Sequence, residues 1–174
     1  DPKAIAIPEH REDGTLPLSG EMGVVLVLLP GGKFWMGAQK EDPTKPNYDP
    51  QAGDAEGLVH EVTLSPFFVG KYEVTQGQWQ RWTGANPSFS KRRNDALLPV
   101  EHVSWTDAEP SSRHAGLLLP TEAQWEYSCP GGATTRWWNG DEESTLTNAA
   151  VYEGNSEQHV ACIGTKAANA FGLH

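Results

Sequence analysis

The sequence has little cysteine and fewer basic than acidic residues. Its two cysteines, Cys129 and Cys162, lack C-x-x-C spacing, so the sequence favours neither a disulfide scaffold nor zinc or thioredoxin-type chemistry. We expect two packed or half-exposed thiols, with a mutual disulfide as the alternative in an oxidising compartment. With 13 Lys and Arg against 23 Asp and Glu, the net charge is −10, which argues against nucleic acid or an anionic membrane as a partner.

Long apolar runs and familiar catalytic signatures are also missing. The longest apolar run, Val24–Leu29, is far short of the roughly 20 residues that cross a bilayer, so we expect no membrane span. The sequence contains no H-E-x-x-H pair, G-x-S-x-G elbow, phosphate loop or dinucleotide-binding glycine motif. The six histidines are scattered, and we interpret them as surface or packed residues. The residues themselves therefore assign no catalytic and no cofactor-binding side chain.

Glycine, proline and tryptophan, in contrast, are abundant. The 18 glycines and 13 prolines predict many turns and short elements, within one loop-rich domain. We expect residues 1–22 to form an extended leader packed along a domain that occupies residues 23–174. The seven tryptophans are interpreted mainly as core residues, and the lining of a sugar or peptide groove is the alternative.

Two apolar stretches predict two pairs of strands. Val24–Leu29 and Lys33–Met36 flank Pro30-Gly31-Gly32, which favours a hairpin. Residues 60–64 and 67–74 alternate in a similar way and predict a second pair. Between the two pairs, residues 39–57 are polar and proline-rich, and we expect a long surface loop.

Three segments begin with a hydroxyl residue that is followed three positions later by an amide or acid. Thr75 with Gln78 and Thr121 with Gln124 match the capping box, and the pair Ser104 and Asp107 is a looser analogue. The first box predicts a helix from Gln76 to about Thr83, with Trp79 and Trp82 on one face. The analogue predicts a helix from Trp105 that either ends after one turn or restarts, because Pro110 is poorly accepted in a helix interior. The third box predicts a helix from Glu122 to about Ser128, with Trp125 facing the core and Glu126 anchoring a neighbouring loop.

Several acidic clusters offer the hard oxygens that calcium prefers. They are Glu41-Asp42, Asp54 with Glu56, and Asp141-Glu142-Glu143. None has EF-hand spacing, so we interpret them first as solvated acidic loops.

The motifs, in their order along the chain, resemble those of the sulfatase-modifying factor family, the formylglycine-generating enzymes and their bacterial relatives. The matching segments are Pro30–Gly37, His60–Leu64, Tyr72–Trp79, Asn86–Ser88, Leu98–Ala108, Leu119–Tyr127 and Asn169–His174. The resemblance implies an α+β, C-type-lectin-like fold of the formylglycine-generating-enzyme type, loop-rich with short helices and small antiparallel sheets. In one departure, residues 109–115 contain Pro110 where relatives have an uninterrupted helix.

The resemblance also implies a chemistry. The family activity is oxidation of a sulfatase cysteine to formylglycine with O₂ and a copper ion held by two cysteines, which follow a G-N-x-W-E-W segment. This chain ends at His174, where that segment would begin, so we expect a C-terminally incomplete domain that is inactive alone and lacks the copper ligands. Neither Cys129 nor Cys162 inherits the catalytic role. For the family's calcium, the resemblance offers three candidates, Asp141, Asn148 and Asn155.

Three hypotheses follow from this resemblance. The first is a formylglycine-generating enzyme that acts on a protein or peptide substrate. The alternative is a non-catalytic binding or structural module on the same scaffold. A weaker third is kinship with the sulfoxide synthases of ergothioneine-type pathways, for which no three-histidine iron site is visible. The sequence assigns neither a compartment nor an oligomeric state.

Overall fold

The structure, a computed structural model, describes residues 9–12, 15–90 and 95–174. Within these ranges the chain is loop-rich α+β, with short strands first and short helices after them. The strands are β1 (Leu26–Leu29), β2 (Gly32–Met36), β3 (His60–Leu64) and β4 (Phe67–Gly70). The helices are α1 (Gln76–Thr83), α2 (Trp105–His114), α3 (Glu122–Ser128) and α4 (Glu143–Ala149), with 3₁₀ turns at Asp54–Glu56 and Asp95–Leu97. In the part that the structure describes, no helix is long and apolar enough to cross a membrane.

The four strands form one interrupted antiparallel ribbon. β1 pairs with β4 and β2 pairs with β3, and the register runs on unchanged from one pair to the other, with facing residues Leu29–Phe67 and Gly32–Leu64 on either side of the break. The same register places Pro30 opposite Pro66. At this register the Lys71 amide donates to the Val25 carbonyl, so Pro30 and Pro66 fall at a non-hydrogen-bonded pair, where neither proline nitrogen faces the partner strand. The pairing is interrupted there and resumes at Gly32.

This pairing corrects the predicted hairpins. The strands lie where the sequence indicates, but β1 does not pair with β2, and β3 does not pair with β4. The reason is that Pro30-Gly31 and Ser65-Pro66 bend the strands without reversing them. The reversal is made by residues 37–59, which the structure confirms as a loop with one 3₁₀ turn.

Helices α1 to α3 begin as predicted, and each has a complete capping box. This includes Ser104, whose hydroxyl accepts from the Asp107 amide at 3.2 Å while the Asp107 carboxylate accepts from the Ser104 amide at 2.9 Å. The expectation that Pro110 would end or restart the second helix is wrong, because α2 runs through it to His114. Helix α4 was not predicted, and its N-cap, Glu142, makes no side-chain capping bond that a sequence pattern could reveal.

The core draws its buried side chains from strand β1, helix α1 and the segments between elements. Its buried apolar side chains include Leu16, Leu29, Trp79, Leu98 and Ile163. Leu16 belongs to the predicted leader, so the described part of that segment packs against the domain; residues 1–8, 13 and 14 of the leader lie outside the described residues.

Three tryptophans do not fill the core. Trp35 is 48% exposed, Trp105 70% and Trp125 61%, so the placement of Trp125 in the core is wrong. Tyr127 takes the inner face of α3 instead, with its ring against Phe34, Phe67 and Phe171 at centroid distances of 5.4, 6.1 and 5.4 Å. Residues two positions apart in a helix lie on nearly opposite faces. Because Tyr127 faces inward, Trp125 faces outward.

Candidate functional site

The last segment of the chain is held by one buried side chain, Asn169. Its amide nitrogen donates to the carbonyls of Ser128 at 2.8 Å and Cys129 at 3.1 Å, at the end of α3. Its amide oxygen accepts from the backbone of Phe171 at 3.0 Å and Leu173 at 3.1 Å. All of these partners are backbone groups, so Asn169 fixes the path of residues 169–173 against α3. We call this contact region the Asn169 junction.

Lys71 holds the same segment from the other side. Its ammonium group donates to the Gly172 carbonyl, and its own carbonyl accepts from the His174 amide at 3.0 Å. The His174 ring stacks on Tyr72 at 4.8 Å. Burial lowers the pKa of Lys71 and raises the pKa of the Tyr72 phenol. Segments from the start, middle and end of the family pattern therefore meet at the Asn169 junction.

Helix α3 is tied to the ribbon by two further hydrogen bonds. Glu126 accepts from the Gly37 amide at 2.6 Å, which confirms the prediction that this carboxylate anchors a neighbouring loop. The Tyr127 hydroxyl donates to the Gly31 carbonyl at 2.6 Å, at the break in the ribbon. The two bonds together fix the orientation of α3 across β2.

The three calcium candidates lie in different surroundings. Asp141 accepts from the Arg136 amide at 2.7 Å, and Asn148 is an exposed residue in the last turn of α4. Asn155 accepts from the Tyr152 amide at 2.8 Å and donates to the Ala150 carbonyl at 2.9 Å, so it shapes its own turn. Within the described ranges, no group of three or more His, Cys, Asp or Glu residues could hold a metal ion. Calcium binding stays a prediction.

Both cysteines are free thiols, so they do not form the alternative disulfide. Cys129 caps the end of α3, where desolvation raises the pKa of its thiol and disfavours the thiolate. Cys162 lies in the loop before Ile163, whose amide donates to the Leu97 carbonyl. That the copper ligands are absent from this chain stays a prediction.

A carboxylate and an imidazole form a pair that the sequence analysis did not single out. Glu101 accepts from the Ser90 amide at 2.6 Å and contacts the Nδ1 atom of His102. Two hydrogen bonds lower the pKa of the Glu101 carboxyl: the larger effect comes from the Ser90 amide and the smaller from His102. His102 has a left-handed backbone, with φ of 59°. In the sequence His102 is one of six scattered histidines, and only the fold shows that Glu101 orients its ring.

Asn169 was also missed as a key residue. The sequence shows it only as part of the closing N-A-F-G-L-H motif, and a polar residue near a chain end is usually exposed. Its role depends on carbonyls some 40 positions earlier, which no local pattern reveals.

Comparison with known proteins gives these contacts a context. The chain is 47% identical over 67% of its length to a formylglycine-generating enzyme from Streptomyces coelicolor, of which it covers 50%. It is 27% identical over 88% of its length to a formylglycine-generating enzyme from Thermomonospora curvata, of which it covers 68%. Among solved structures it is similar to Treponema denticola variable protein 1, with a TM-score of 0.70, 23% identity and coverage of 86% of this chain and 68% of that one.

The chain thus spans about half to two-thirds of the length of these two curated relatives. The family described as "Sulfatase-modifying factor enzyme 1-like domain" matches residues 19–174, which include the ribbon, all four helices and the Asn169 junction. The chain belongs to the sulfatase-modifying factor family.

Proposed function

We propose that this domain serves formylglycine generation, the oxidation of a cysteine in a protein or peptide substrate to formylglycine. The observation that carries the proposal is the Asn169 junction. Three segments of the family pattern, around Tyr72, Tyr127 and Asn169, meet there through hydrogen bonds and ring stacking. Relatives with the same pattern are named formylglycine-generating enzymes, which supports the proposal.

In this proposal the described residues form the framework of the site and do not carry out the oxidation. We assign no step of the oxidation to them, because the resemblance places the two copper-binding cysteines after a G-N-x-W-E-W segment. Their part is to hold the closing segment, which the junction fixes through Lys71, Asn169 and α3. A framework of backbone hydrogen bonds is suited to this task because it restrains position within a few tenths of an ångström.

The direct test uses the product of the complete gene. Incubation with copper, O₂ and a peptide containing C-x-P-x-R should convert the peptide cysteine to an aldehyde, detected by mass spectrometry and by trapping with a hydrazide. The Asn169→Ala variant should lose most of this activity, whereas Asn155→Ala, which removes only local turn bonds, should keep it. A complete gene product that binds copper and yields no aldehyde would sink the proposal.

The second candidate, a binding or structural module, is favoured by one observation. Among the described residues, no group of three or more His, Cys, Asp or Glu side chains could hold a metal ion. The same peptide experiment separates the two candidates, because a module would bind the peptide, measured by fluorescence anisotropy, without converting it.

A further inference from the structure

A groove lies between α1 and α2, away from the Asn169 junction. We call it the α1–α2 groove. It has a volume of about 380 Å³, and its lining residues are Trp79, Thr83, Ala85, Pro87, His102, Val103, Thr106, Asp107, Pro110 and Ser111. The apolar walls, including two prolines and an indole, are stiff, and they favour an apolar body over water.

His102 supplies one polar contact to this groove. Its Nδ1 atom faces the Glu101 carboxylate, which accepts the Nδ1 proton and fixes the ring. Nε2 makes no hydrogen bond to any other described residue, so in the neutral form of the imidazole it can accept one. Glu101 is held in turn by the Ser90 amide at 2.6 Å, so the ring is oriented in advance of any ligand.

Asp107 supplies the second contact. Its Oδ2 atom accepts from the Ser104 amide at 2.9 Å and from the Ser104 hydroxyl at 2.6 Å. Its Oδ1 atom has no hydrogen-bond partner among the described residues. The bonds from Ser104 lower the pKa of the Asp107 carboxyl, so the group is a carboxylate at neutral pH. This negative charge also offsets the positive N-terminal end of α2, which would otherwise attract an anion.

The charge of the lining selects among ligands. One carboxylate and one imidazole acceptor line the groove, whereas no Lys or Arg is among the lining residues. The two groups could supply only two metal ligands, which is too few for a zinc site, because zinc sites use three or four protein ligands. A protonated amine fits this lining, because it donates up to three hydrogen bonds and its hydrocarbon part can lie against the prolines and Trp79.

We propose that the α1–α2 groove binds a small organic cation, an ammonium group on an apolar body, between His102 and Asp107. The ammonium donates to Nε2 of His102 and to Oδ1 of Asp107. The apolar body lies along Trp79, Pro87 and Pro110. This goes beyond formylglycine generation, since the groove shares no lining residue with the Asn169 junction.

The test titrates 2-phenylethylammonium into the ¹⁵N-labelled protein and follows amide and imidazole resonances by NMR. We expect saturable shifts at His102, Thr106 and Asp107. Asp107→Asn should weaken binding by about tenfold, because it removes a charge-assisted bond while its amide oxygen still accepts from Ser104.

Two controls make the result decisive. Glu109→Gln removes the same charge from the same helix at a residue outside the groove lining, and it should leave the affinity within about twofold. The uncharged analogue 2-phenylethanol should bind at least about tenfold more weakly than the amine. Equal binding of the alcohol, unchanged affinity in Asp107→Asn, or saturable binding of a neutral proline-rich peptide at the same resonances without competition from the amine would overturn the proposal.

Discussion

At the scale of single residues, backbone conformation decides several positions that the sequence marks only weakly. Gly31 has φ of 68°, and a Cβ atom built there would lie 2.4 Å from the Leu64 carbonyl oxygen. Leu58 has a similar φ of 58° yet carries a full side chain that is 89% exposed. The sequence predicts the first as a turn glycine, because of its Pro-Gly-Gly context. It cannot predict the second, because leucine is rare in this conformation.

Replacing Gly31 by alanine should lower the free energy of unfolding by at least about 3 kcal/mol, because a left-handed backbone and a backbone clash add together. Urea unfolding followed by circular dichroism measures the change. Gly116→Ala is the matched control: its φ is 75° with nothing within 4 Å of the added Cβ, so only about 1 kcal/mol should be lost. Equal losses in the two variants would show that the clash at Gly31 is relieved at no cost.

Replacing Leu58 by asparagine should raise the free energy of unfolding by about 0.5–1 kcal/mol, because asparagine tolerates the left-handed region better. Thermal denaturation shows directly whether the variant is more or less stable than the parent protein. Leu118→Asn, at a residue that is 70% exposed and without a positive φ, should change stability by less than about 0.5 kcal/mol. A loss of stability in Leu58→Asn would contradict the argument.

At the scale of elements, local signals predicted more than pairing signals did. The hydroxyl residues Thr75, Ser104 and Thr121 start α1, α2 and α3 as expected, because a capping box acts within four residues. The pairing of β1 with β4 depends instead on residues some 40 positions apart, and a Pro-Gly bend looks like a hairpin turn in the sequence. The expectation at Pro110 rested on the cost of an interior proline, a lost hydrogen bond and a ring clash of about 3 kcal/mol in all, yet α2 runs through it, with a capping box at Ser104 and contacts to α1.

The contact between α3 and the loop after β2 yields a prediction at this scale. Glu126→Ala should cost about 2 kcal/mol, because the Gly37 amide loses a charged acceptor at 2.6 Å. Urea unfolding measures the cost, and hydrogen exchange of the Gly37 amide should become faster.

Glu122→Ala provides the comparison. It removes a carboxylate from the first turn of the same helix, where only the helix dipole is involved, so we expect a loss below about 1 kcal/mol. If the two variants lose the same stability, the hydrogen bond from Gly37 to Glu126 contributes nothing to the free energy of unfolding.

At the scale of the whole molecule, the early and late parts of the chain depend on each other. The ribbon, α3 and residues 169–174 share the aromatic cluster around Tyr127 and the Asn169 junction. The family and the loop-rich α+β class could be predicted, because motif order and Gly/Pro content survive without tertiary information. The Asn169 junction could not be predicted from the sequence, since it depends on which backbone carbonyls the fold brings to Asn169.

Asn169→Ala should therefore destabilise the entire domain, by about 3–5 kcal/mol, because four buried or half-buried backbone groups lose a partner at once. Near-UV and far-UV circular dichroism should report one shared unfolding transition at lower temperature. Asn155→Ala removes two bonds within a single turn and should cost only about 1 kcal/mol. Two separate transitions in Asn169→Ala would mean that residues 169–174 unfold independently of the rest.

The facing prolines of the ribbon also bear on association with other chains. In the native register Pro30 and Pro66 form a non-hydrogen-bonded pair, so both proline nitrogens point away from the partner strand, towards the two outer edges of the ribbon. Each strand pair has only two strands among the described residues, so both edges offer backbone groups to a further strand. A proline at an edge has no N–H for such a strand to bind. The two prolines therefore protect both edges of the ribbon, at the same level, against edge-to-edge aggregation.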